Sequence, residues 1–464
     1  MNILLLGYLI VGVFFIFSIF LGYTLLNLLL PHRFSTSFDF SASEKILLSF
    51  LFGSATITWF SFVFLLLNIH LWPIIVFGLI LLIISKIQFV EFYTSILSIS
   101  LWKKLFPNLS KLILVFFTGW IVFEVFIRSN MISDGLYLWG FKARVIFEGG
   151  NIITAYFKNN VLVWSHLDYP LYLPILEGLI YKLLGSIFEP VVFIIVPIFY
   201  LLGGIFIFIT LRRFFKFYLC YLLLTLYFFI PHLRNIAVLN YADIPLALYY
   251  NVSVVYFFLY LRFKKSSYKY LSIFAAANLF WIKKEGFILY VIYLLGFLIF
   301  NHIRGQKNYL FLLLSAIPCL FWYFFLFVNQ VTSIDFVTPS YSFLINNINR
   351  FTEIPVYTRR LLKYPPHWGL FWPVLLVIMI LRYRFIRDKS KVYLAYSVIL
   401  PLIIYPCLFV FSTWQPYYEH VRTALDRLIL QVFPTAFVFF AIIFTPDKYT
   451  DTISPKGINK SYEK

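Results

Sequence analysis

The amino-acid sequence predicts an all-α polytopic membrane protein, and three observations support that fold class. Of the 464 residues, 62% are hydrophobic and only 12% are charged, which is more apolar surface than a soluble fold can bury. The apolar runs reach the roughly 20 residues that a transmembrane helix needs. They also lack the alternation of polar and apolar residues that marks the strands of a membrane barrel. We therefore expect a bundle of helices that uses the bilayer as its solvent.

The apolar runs define about thirteen candidate transmembrane helices, several of them short. The first run is too long for a signal peptide and has no basic flank before it, so we expect a retained helix. Residues 1–446 are predicted to form a single transmembrane domain, and residues 447–464 a cytoplasmic tail. The expected spans begin near Ile3, Ile46, Leu71, Leu112, Glu189, Phe217, Ile244, Leu271, Phe287, Tyr309, Leu370, Val392 and Leu428.

The distribution of basic residues predicts the orientation of the chain, because Lys and Arg concentrate in cytoplasmic loops. Strongly basic loops alternate with less basic ones, so the formal net charge of +19 is expected to reflect topology. A nucleic-acid partner would need a solvated basic domain, and the sequence offers none. Two large loops then face away from the cytoplasm, residues 129–188 and residues 329–368. The basic clusters are Arg212–Lys216, Arg262–Lys269, Arg304–Lys307, Arg382–Lys391 and the carboxy-terminal tail.

One apolar run does not fit the alternation of spans. The segment from Leu171 to Gly185 is short and contains Pro174, Glu177 and Lys182. If it crossed the membrane, every later loop would lie on the opposite side of the membrane. We therefore predict a helix at the outer interface, where amphipathic helices with aromatic and Lys side chains are stable. A re-entrant element shielded by protein is the alternative.

The first outer loop concentrates ionisable residues in a chain that has only 19 Asp and Glu. Asp134 begins this loop, directly after a span, and Lys142 follows in an aromatic, helix-like run. A carboxylate in this position could serve as a general base or as a metal ligand. The alternative is a helix N-cap, a position that Asp favours. The loop also contains Arg144, Glu148, His166 and Asp168.

Two shorter acidic elements fall on the same predicted side. Asp243 precedes Pro245, so it is either a cap or part of a site. Glu285 follows Lys283 and Lys284 between two apolar runs, and charges at membrane depth usually mark a pathway or a site. The alternative for this turn is an interfacial loop whose lysines extend to the lipid headgroups.

The segment before the last span is rich in basic and aromatic residues. His420, Arg422 and Arg427 could bind a phosphate, because a planar guanidinium supplies paired donors. The alternative is that Arg422 and Asp426 form a helix-surface pair four residues apart. The loop of residues 329–368, with Arg359, Arg360, Lys363 and His367, is either functional or disordered at that length. No nucleotide-binding motif is present, and the three cysteines lack metal-ligand spacing.

The order of these elements resembles the GT-C superfamily of membrane glycosyltransferases. The similarity is greatest to the branch that contains protein O-mannosyltransferases and the aminoarabinose and galacturonic-acid transferases of lipid A and core oligosaccharide. It covers roughly Glu124–Gly286. The family's usual second acidic residue beside the first is replaced by Gly135. The elements that carry the resemblance are Ser133-Asp134-Gly135, Leu138–Ala143, Tyr169–Tyr172, Tyr181–Gly185, Asn240–Leu246 and Lys284–Gly286.

The resemblance implies an inverting transferase that takes a sugar from a polyprenyl-phosphate donor at the outer face of a bacterial plasma membrane. Its implied acceptor is a lipid, glycan or protein. Asp134 would be the general base and Asp243 a second carboxylate that orients the acceptor. A divalent metal at these two aspartates remains an open alternative. Substrate and phosphate would be bound by Lys142, Lys284, Glu285, Arg422, Arg427, His420 and Tyr169.

Two other functions would also explain some of these sequence features. A transporter or flippase also places charges at membrane depth, but such proteins commonly contain inverted repeats, and the Asp134 region has no second copy in the sequence. A polysaccharide polymerase or ligase of another fold would also use lipid-linked substrates. Its site would rely on a large outer loop with Arg and His, which residues 329–368 could supply.

Overall fold

The chain folds into a helical bundle in the computed structural model, which describes residues 3–30, 40–69, 109–149, 152–302, 309–337 and 340–444. Within these ranges the chain is 82% helical and forms no strand. This confirms the all-α fold class. We keep the names first and second outer loop for residues 129–188 and 329–368, after their predicted side of the membrane. The helices before the first of these loops are Ile3–Leu29, Ala42–Leu66 and Leu109–Arg128.

The first outer loop and the helices that follow it are largely helical as well. A π-helical turn, Gly135–Gly140, and a 3-10 turn, Asn160–Ser165, interrupt the outer loop. The α-helices from here to the middle of the chain are Phe141–Glu148, Ile152–Lys158, Tyr172–Leu184, Glu189–Val192, Ile195–Arg212, Phe217–Phe229, Pro231–Ala237, Asp243–Phe263, Ser266–Ala277, Leu279–Ile282 and Gly286–His302. The remaining α-helices are Leu310–Leu314, Ile317–Val328, Tyr341–Asn346, Arg350–Leu362, Pro365–Trp368, Phe371–Leu381, Lys389–Leu408 and Tyr417–Phe444.

Seven helical stretches among the described residues are long and apolar enough to cross a bilayer. An eighth is obtained if Phe217–Phe229 and Pro231–Ala237, which meet at 65°, form one broken span. The protein is therefore a multi-pass membrane protein. The seven stretches are Ile3–Leu29, Ala42–Leu66, Glu189–Arg212, Asp243–Phe263, Leu310–Val328, Lys389–Phe411 and Tyr417–Phe444.

The predicted count of about thirteen spans is not confirmed. The predicted span near Leu71 lies outside the described residues. The run near Leu271 forms a helix of 12 residues, Ser266–Ala277, followed by a short one. The runs near Phe287 and Leu370 form the shorter apolar helices Gly286–Asn301 and Phe371–Leu381. Each of these helices is shorter than the roughly 20 residues that a membrane span needs.

Two helices form the axis of the bundle. The central helix, Asp243–Phe263, has an apolar window that is 100% buried, and the final helix, Tyr417–Phe444, one that is 83% buried. They pack against each other and against Lys389–Leu408. Neighbouring helices therefore bury the apolar window of the central helix on every side, which places this helix in the interior of the protein. Its first residue, Asp243, is consequently held inside the protein.

The short run from Leu171 to Gly185 forms the helix Tyr172–Leu184, which ends where Gly185 adopts φ 75°. All ten residues of 172–181 are buried. The Tyr172 hydroxyl lies 2.9 Å from Ser54 Oγ and 3.2 Å from the Tyr249 hydroxyl. The helix therefore lies within the protein, and the predicted interfacial location is not confirmed. Its surroundings match the alternative of an element shielded by protein.

The first two helices cross at glycines. A Cβ atom on Gly22 would lie 1.8 Å from the Ser49 carbonyl oxygen, and one on Gly53 would lie 1.8 Å from the Ser18 carbonyl oxygen. Only glycine permits this distance between backbones, as in other close crossings of membrane helices.

We predict that Gly53→Ala destabilises the protein by about 1–3 kcal/mol, because the added methyl must push the first helix away. Gly12→Ala is the matched control, since nothing lies within 4 Å of a Cβ at that position of the first helix. Thermal unfolding of both variants in the same detergent measures the difference. Equal melting temperatures would contradict the close crossing.

Candidate functional site

An ion pair joins the beginning of the first outer loop to the final helix. Asp134 Oδ2 accepts a hydrogen bond of 2.5 Å from Arg427 Nη1, across 293 residues of sequence. The Asp134 side chain makes no capping hydrogen bond to the turn that follows it, so the structure does not show the N-cap alternative. With one third of its side chain exposed, the Asp134 carboxylate is accessible to a ligand.

Gly135, the residue after Asp134, lies where a side chain has no space. A Cβ atom at this position would lie 2.3 Å from the Leu239 carbonyl oxygen. A second carboxylate beside Asp134 therefore has no space here. The same close contact brings Asp134 next to the segment Asn240–Asp243, so it also sets the distance between the two candidate aspartates.

Asp243 lies completely buried at the start of the central helix. Its Oδ1 atom accepts hydrogen bonds of 2.8 Å from Lys283 Nζ and of 2.8 Å from Gln431 Nε2. Its Oδ2 atom is buried and has no hydrogen-bond partner among the described residues. Lys283 is almost completely buried, so it does not extend to a lipid headgroup as the alternative for this turn required.

Glu285 extends the same set of contacts towards the first outer loop. Its Oε1 atom lies 3.7 Å from Lys283 Nζ and accepts a hydrogen bond of 3.3 Å from the Tyr169 hydroxyl. Tyr169 in turn stacks on Trp139, with ring centroids 5.7 Å apart. The turn Lys283–Glu285 therefore directs its charges inward, towards the first outer loop.

Arg427 links these contacts into one group. Besides the pair with Asp134, the guanidinium interacts electrostatically with Asp243 and Tyr169, and it lies 5.3 Å from the centre of the Tyr241 ring. We call the resulting group the charged cluster: Asp134, Tyr169, Asp243, Lys283, Glu285 and Arg427. Its carboxylates are partly neutralised by two buried cations. The divalent metal suggested for Asp134 and Asp243 stays a prediction.

Lys284 lies beside a cavity of about 300 Å³. Its ammonium group contacts Asp168 and the Ser333 hydroxyl, and about a quarter of the side chain is exposed. The polar end of the cavity is formed by these three residues. The rest of the wall is apolar and aromatic, with Pro170, Phe280, Trp322, Tyr323, Leu326, Phe327 and Val331.

The second outer loop contributes Asp335 to this region. Asp335 Oδ2 lies 3.1 Å from His166 Nδ1, and Trp414 Nε1 donates a hydrogen bond of 3.3 Å to Oδ1. Burial alone would raise the pKa of Asp335, but the adjacent His166 and Lys284 lower it to about 2. Asp335 is therefore a permanent anion that holds the two outer loops together.

Lys142 holds the backbone of the first outer loop. Its ammonium group donates hydrogen bonds to the carbonyl oxygens of His166, at 2.7 Å, and Tyr169, at 3.3 Å. Its Nζ atom lies 5.7 Å from the centre of the Trp139 ring, and the side chain is 99% buried, with 1% exposed. The structure thus shows Lys142 supporting the position of Tyr169, at a distance from any open surface.

The structure places the three basic residues of the segment before the last span in different surroundings. Arg422 is exposed and pairs with Glu419 at 2.9 Å, so the alternative pair with Asp426 does not form. His420 is buried, stacks on Trp414 and forms a hydrogen bond of 2.8 Å with Ser412. Only Arg427 from this segment belongs to the charged cluster.

Several residues that position the site were missed by sequence reasoning. Gln431 and Glu177 are each a polar residue within an apolar run, and this pattern in the sequence could have indicated a buried polar contact. Glu177 Oε1 accepts a hydrogen bond of 2.7 Å from Asn240 Nδ2, and burial raises the Glu177 pKa to about 8. Asn240 has φ 57°, so this contact supports the turn that leads to Asp243.

We predict that the buried Lys142 makes stability depend on pH. Burial lowers its pKa from 10.5 to about 7, so between these values the unfolded chain binds more protons than the folded one. Stability then rises with pH from 7 to 10.5. We expect the melting temperature of the wild type to rise relative to that of Lys142→Met as pH increases from 7 to 9. If the melting temperatures of the two proteins change equally with pH across this range, the lowered pKa of Lys142 is contradicted.

Comparison of the chain with protein families, with curated proteins and with solved structures finds no match. The resemblance to the GT-C superfamily therefore stays a prediction from the motifs. The charged cluster and the cavity beside Lys284 are the structural features that bear on the function.

Proposed function

We propose that the protein is a membrane glycosyltransferase that moves a sugar from a polyprenyl-phosphate donor to an acceptor hydroxyl at the non-cytoplasmic face. The observation that carries this proposal is the charged cluster, which is assembled inside a membrane protein from four separate parts of the chain. Charged groups in such surroundings are costly and usually functional. The alternation of basic loops along the sequence supports the proposed side of the membrane.

The exposed oxygen of Asp134 suits the role of general base. Arg427 holds one carboxylate oxygen, and the accessible part of the side chain is free to accept the proton of an acceptor hydroxyl. The acceptor oxygen then bonds to the anomeric carbon as the bond from that carbon to the phosphate oxygen breaks. This single displacement inverts the anomeric centre, and the polyprenyl phosphate leaves with the bonding electrons.

The cations of the site suit the departing phosphate. Arg427 and Lys284 both lie near Tyr169, and each is paired with a carboxylate that a phosphate could replace as partner. Preorganised cations in a region shielded from water stabilise developing negative charge strongly. Asp243 is too deeply buried to touch an acceptor, so we assign it the task of holding Lys283 and orienting Arg427.

The cavity beside Lys284 suits a lipid-linked headgroup. Its volume of about 300 Å³ is at the lower end of small-molecule sites. A phosphate would lie at the polar end, by Lys284 and Ser333, and the first isoprene units would contact the aromatic wall. This division of polar and apolar surface matches a lipid phosphate better than a free sugar.

We predict that Asp134→Asn reduces transfer at least about 100-fold, as expected for the loss of a general base. The change keeps the shape of the side chain but removes its ability to take a proton. The assay follows a radiolabelled polyprenyl-phosphate sugar with the purified protein in lipid nanodiscs. Asp388→Asn, at an exposed carboxylate away from the cluster, is the matched control. Retention of half the wild-type rate by Asp134→Asn would exclude this role, and donor movement across sealed vesicles without transfer would indicate a flippase.

A second prediction compares two arginines of the final helix. Arg427→Lys should raise the apparent KM for the donor and Arg427→Ala should raise it further, because Lys keeps the charge without the paired donors. Arg422→Ala should leave the KM nearly unchanged, since Arg422 is exposed and paired only with Glu419. If Arg422→Ala and Arg427→Ala have equal effects, the phosphate is not bound by the charged cluster.

A further inference from the structure

Three side chains with metal-binding atoms converge beside the charged cluster. They are His232 from the helix Pro231–Ala237, His367 from the helix Pro365–Trp368, and Asp426 from the final helix. One ligand atom from each lies within 4.8 Å of those of the other two. His232 Nε2 and Asp426 Oδ2 are 3.6 Å apart. Residues from three distant parts of the chain thus meet at one point.

One imidazole nitrogen of each histidine at this point lacks a hydrogen-bond partner among the described residues. Only 3% of His232 is exposed, and neither His232 Nε2 nor His367 Nδ1 has a partner among the described residues. The two rings stack with centroids 4.6 Å apart. Buried polar atoms in native proteins nearly always have partners. The 3.6 Å separation between His232 and Asp426 is too long for a hydrogen bond to satisfy them.

We propose that His232, His367 and Asp426 bind a divalent metal ion that accepts imidazole ligands, most suitably Zn²⁺. Zinc binds His nitrogen and carboxylate oxygen at about 2.1 Å, which places tetrahedral ligands about 3.4 Å apart. The His232–Asp426 separation of 3.6 Å already matches this value, and the ligand atom of the partly buried His367 would have to move by about 1 Å from its separation of at most 4.8 Å. Three protein ligands leave a fourth position for water or substrate.

The surroundings of the three ligands suit a metal site. Trp368 is completely buried and lies edge-on to His232, with ring centroids 4.9 Å apart. Tyr364 packs against His367 from the other side, with ring centroids 4.8 Å apart. This aromatic wall lowers the local dielectric and strengthens the attraction between a cation and Asp426.

A metal here would connect the second outer loop to the final helix, one residue away from Arg427. The ion would thereby fix the position of the Arg427 side chain opposite Asp134. This site is separate from the two aspartates of the charged cluster, and metal binding does not depend on the proposed transfer reaction. The three residues act on that reaction only by positioning Arg427.

The test measures metal content directly. Protein purified in detergent without chelators, then dialysed against a slight excess of Zn²⁺ and desalted, is analysed for bound metal by mass spectrometry. We expect about one Zn²⁺ per chain in the wild type and a loss of most of it in His367→Gln and in Asp426→Asn. The matched controls are His166→Gln and Glu419→Gln, which change a histidine and a carboxylate outside the three ligands and should keep the ion.

A second measurement needs no variant. Co²⁺ added to chelator-treated wild-type protein should give the visible absorption bands of a low-symmetry nitrogen and oxygen site, and Zn²⁺ should abolish them. Less than about 0.2 Zn²⁺ per chain in the wild type, or no such bands, would overturn the proposal. Equal metal content in ligand variants and controls would also overturn it. Each variant is checked for helical content and monodispersity, and the Co²⁺ titration decides the question if a variant fails to fold.

Discussion

The pair between Arg427 and Asp134 is the interaction on which the rest of the site depends. It joins the first outer loop to the final helix, which are far apart in sequence. Two partly buried charges without each other would each lose their water at a cost of several kcal/mol. Because the guanidinium also attracts the Asp243 carboxylate, the position of this one side chain determines how the two aspartates face each other.

The neighbouring contacts of the charged cluster follow from steric and polar constraints that need no ligand. Gly135 allows the Leu239 carbonyl to approach, and Glu177 holds Asn240 in its left-handed conformation. Lys142 holds the carbonyl oxygens of His166 and Tyr169. Together these contacts fix the backbone at Gly135, at the turn before Asp243 and at Tyr169.

Much of the architecture could be predicted from composition and spacing. The all-α membrane class follows from apolar runs, and Asp134, Asp243, Glu285 and Arg427 stood out because each is a charge next to such a run. The number of spans was harder to predict. Helices such as Phe371–Leu381 are apolar and yet contain only 11 residues, and hydropathy reports burial without distinguishing lipid from protein.

The sequence by itself determined which residues are costly to bury, and hence which charges required partners. Only the tertiary structure decided the partners, because pairing depends on which helices become neighbours. Arg422 and Arg427 are five residues apart and chemically identical, yet one is exposed and the other lies inside the charged cluster. His232, His367 and Asp426 gave no common signal along the chain. They come together because two short helices, Pro231–Ala237 and Pro365–Trp368, pack on each other and on the final helix, a long-range contact that no local pattern encodes.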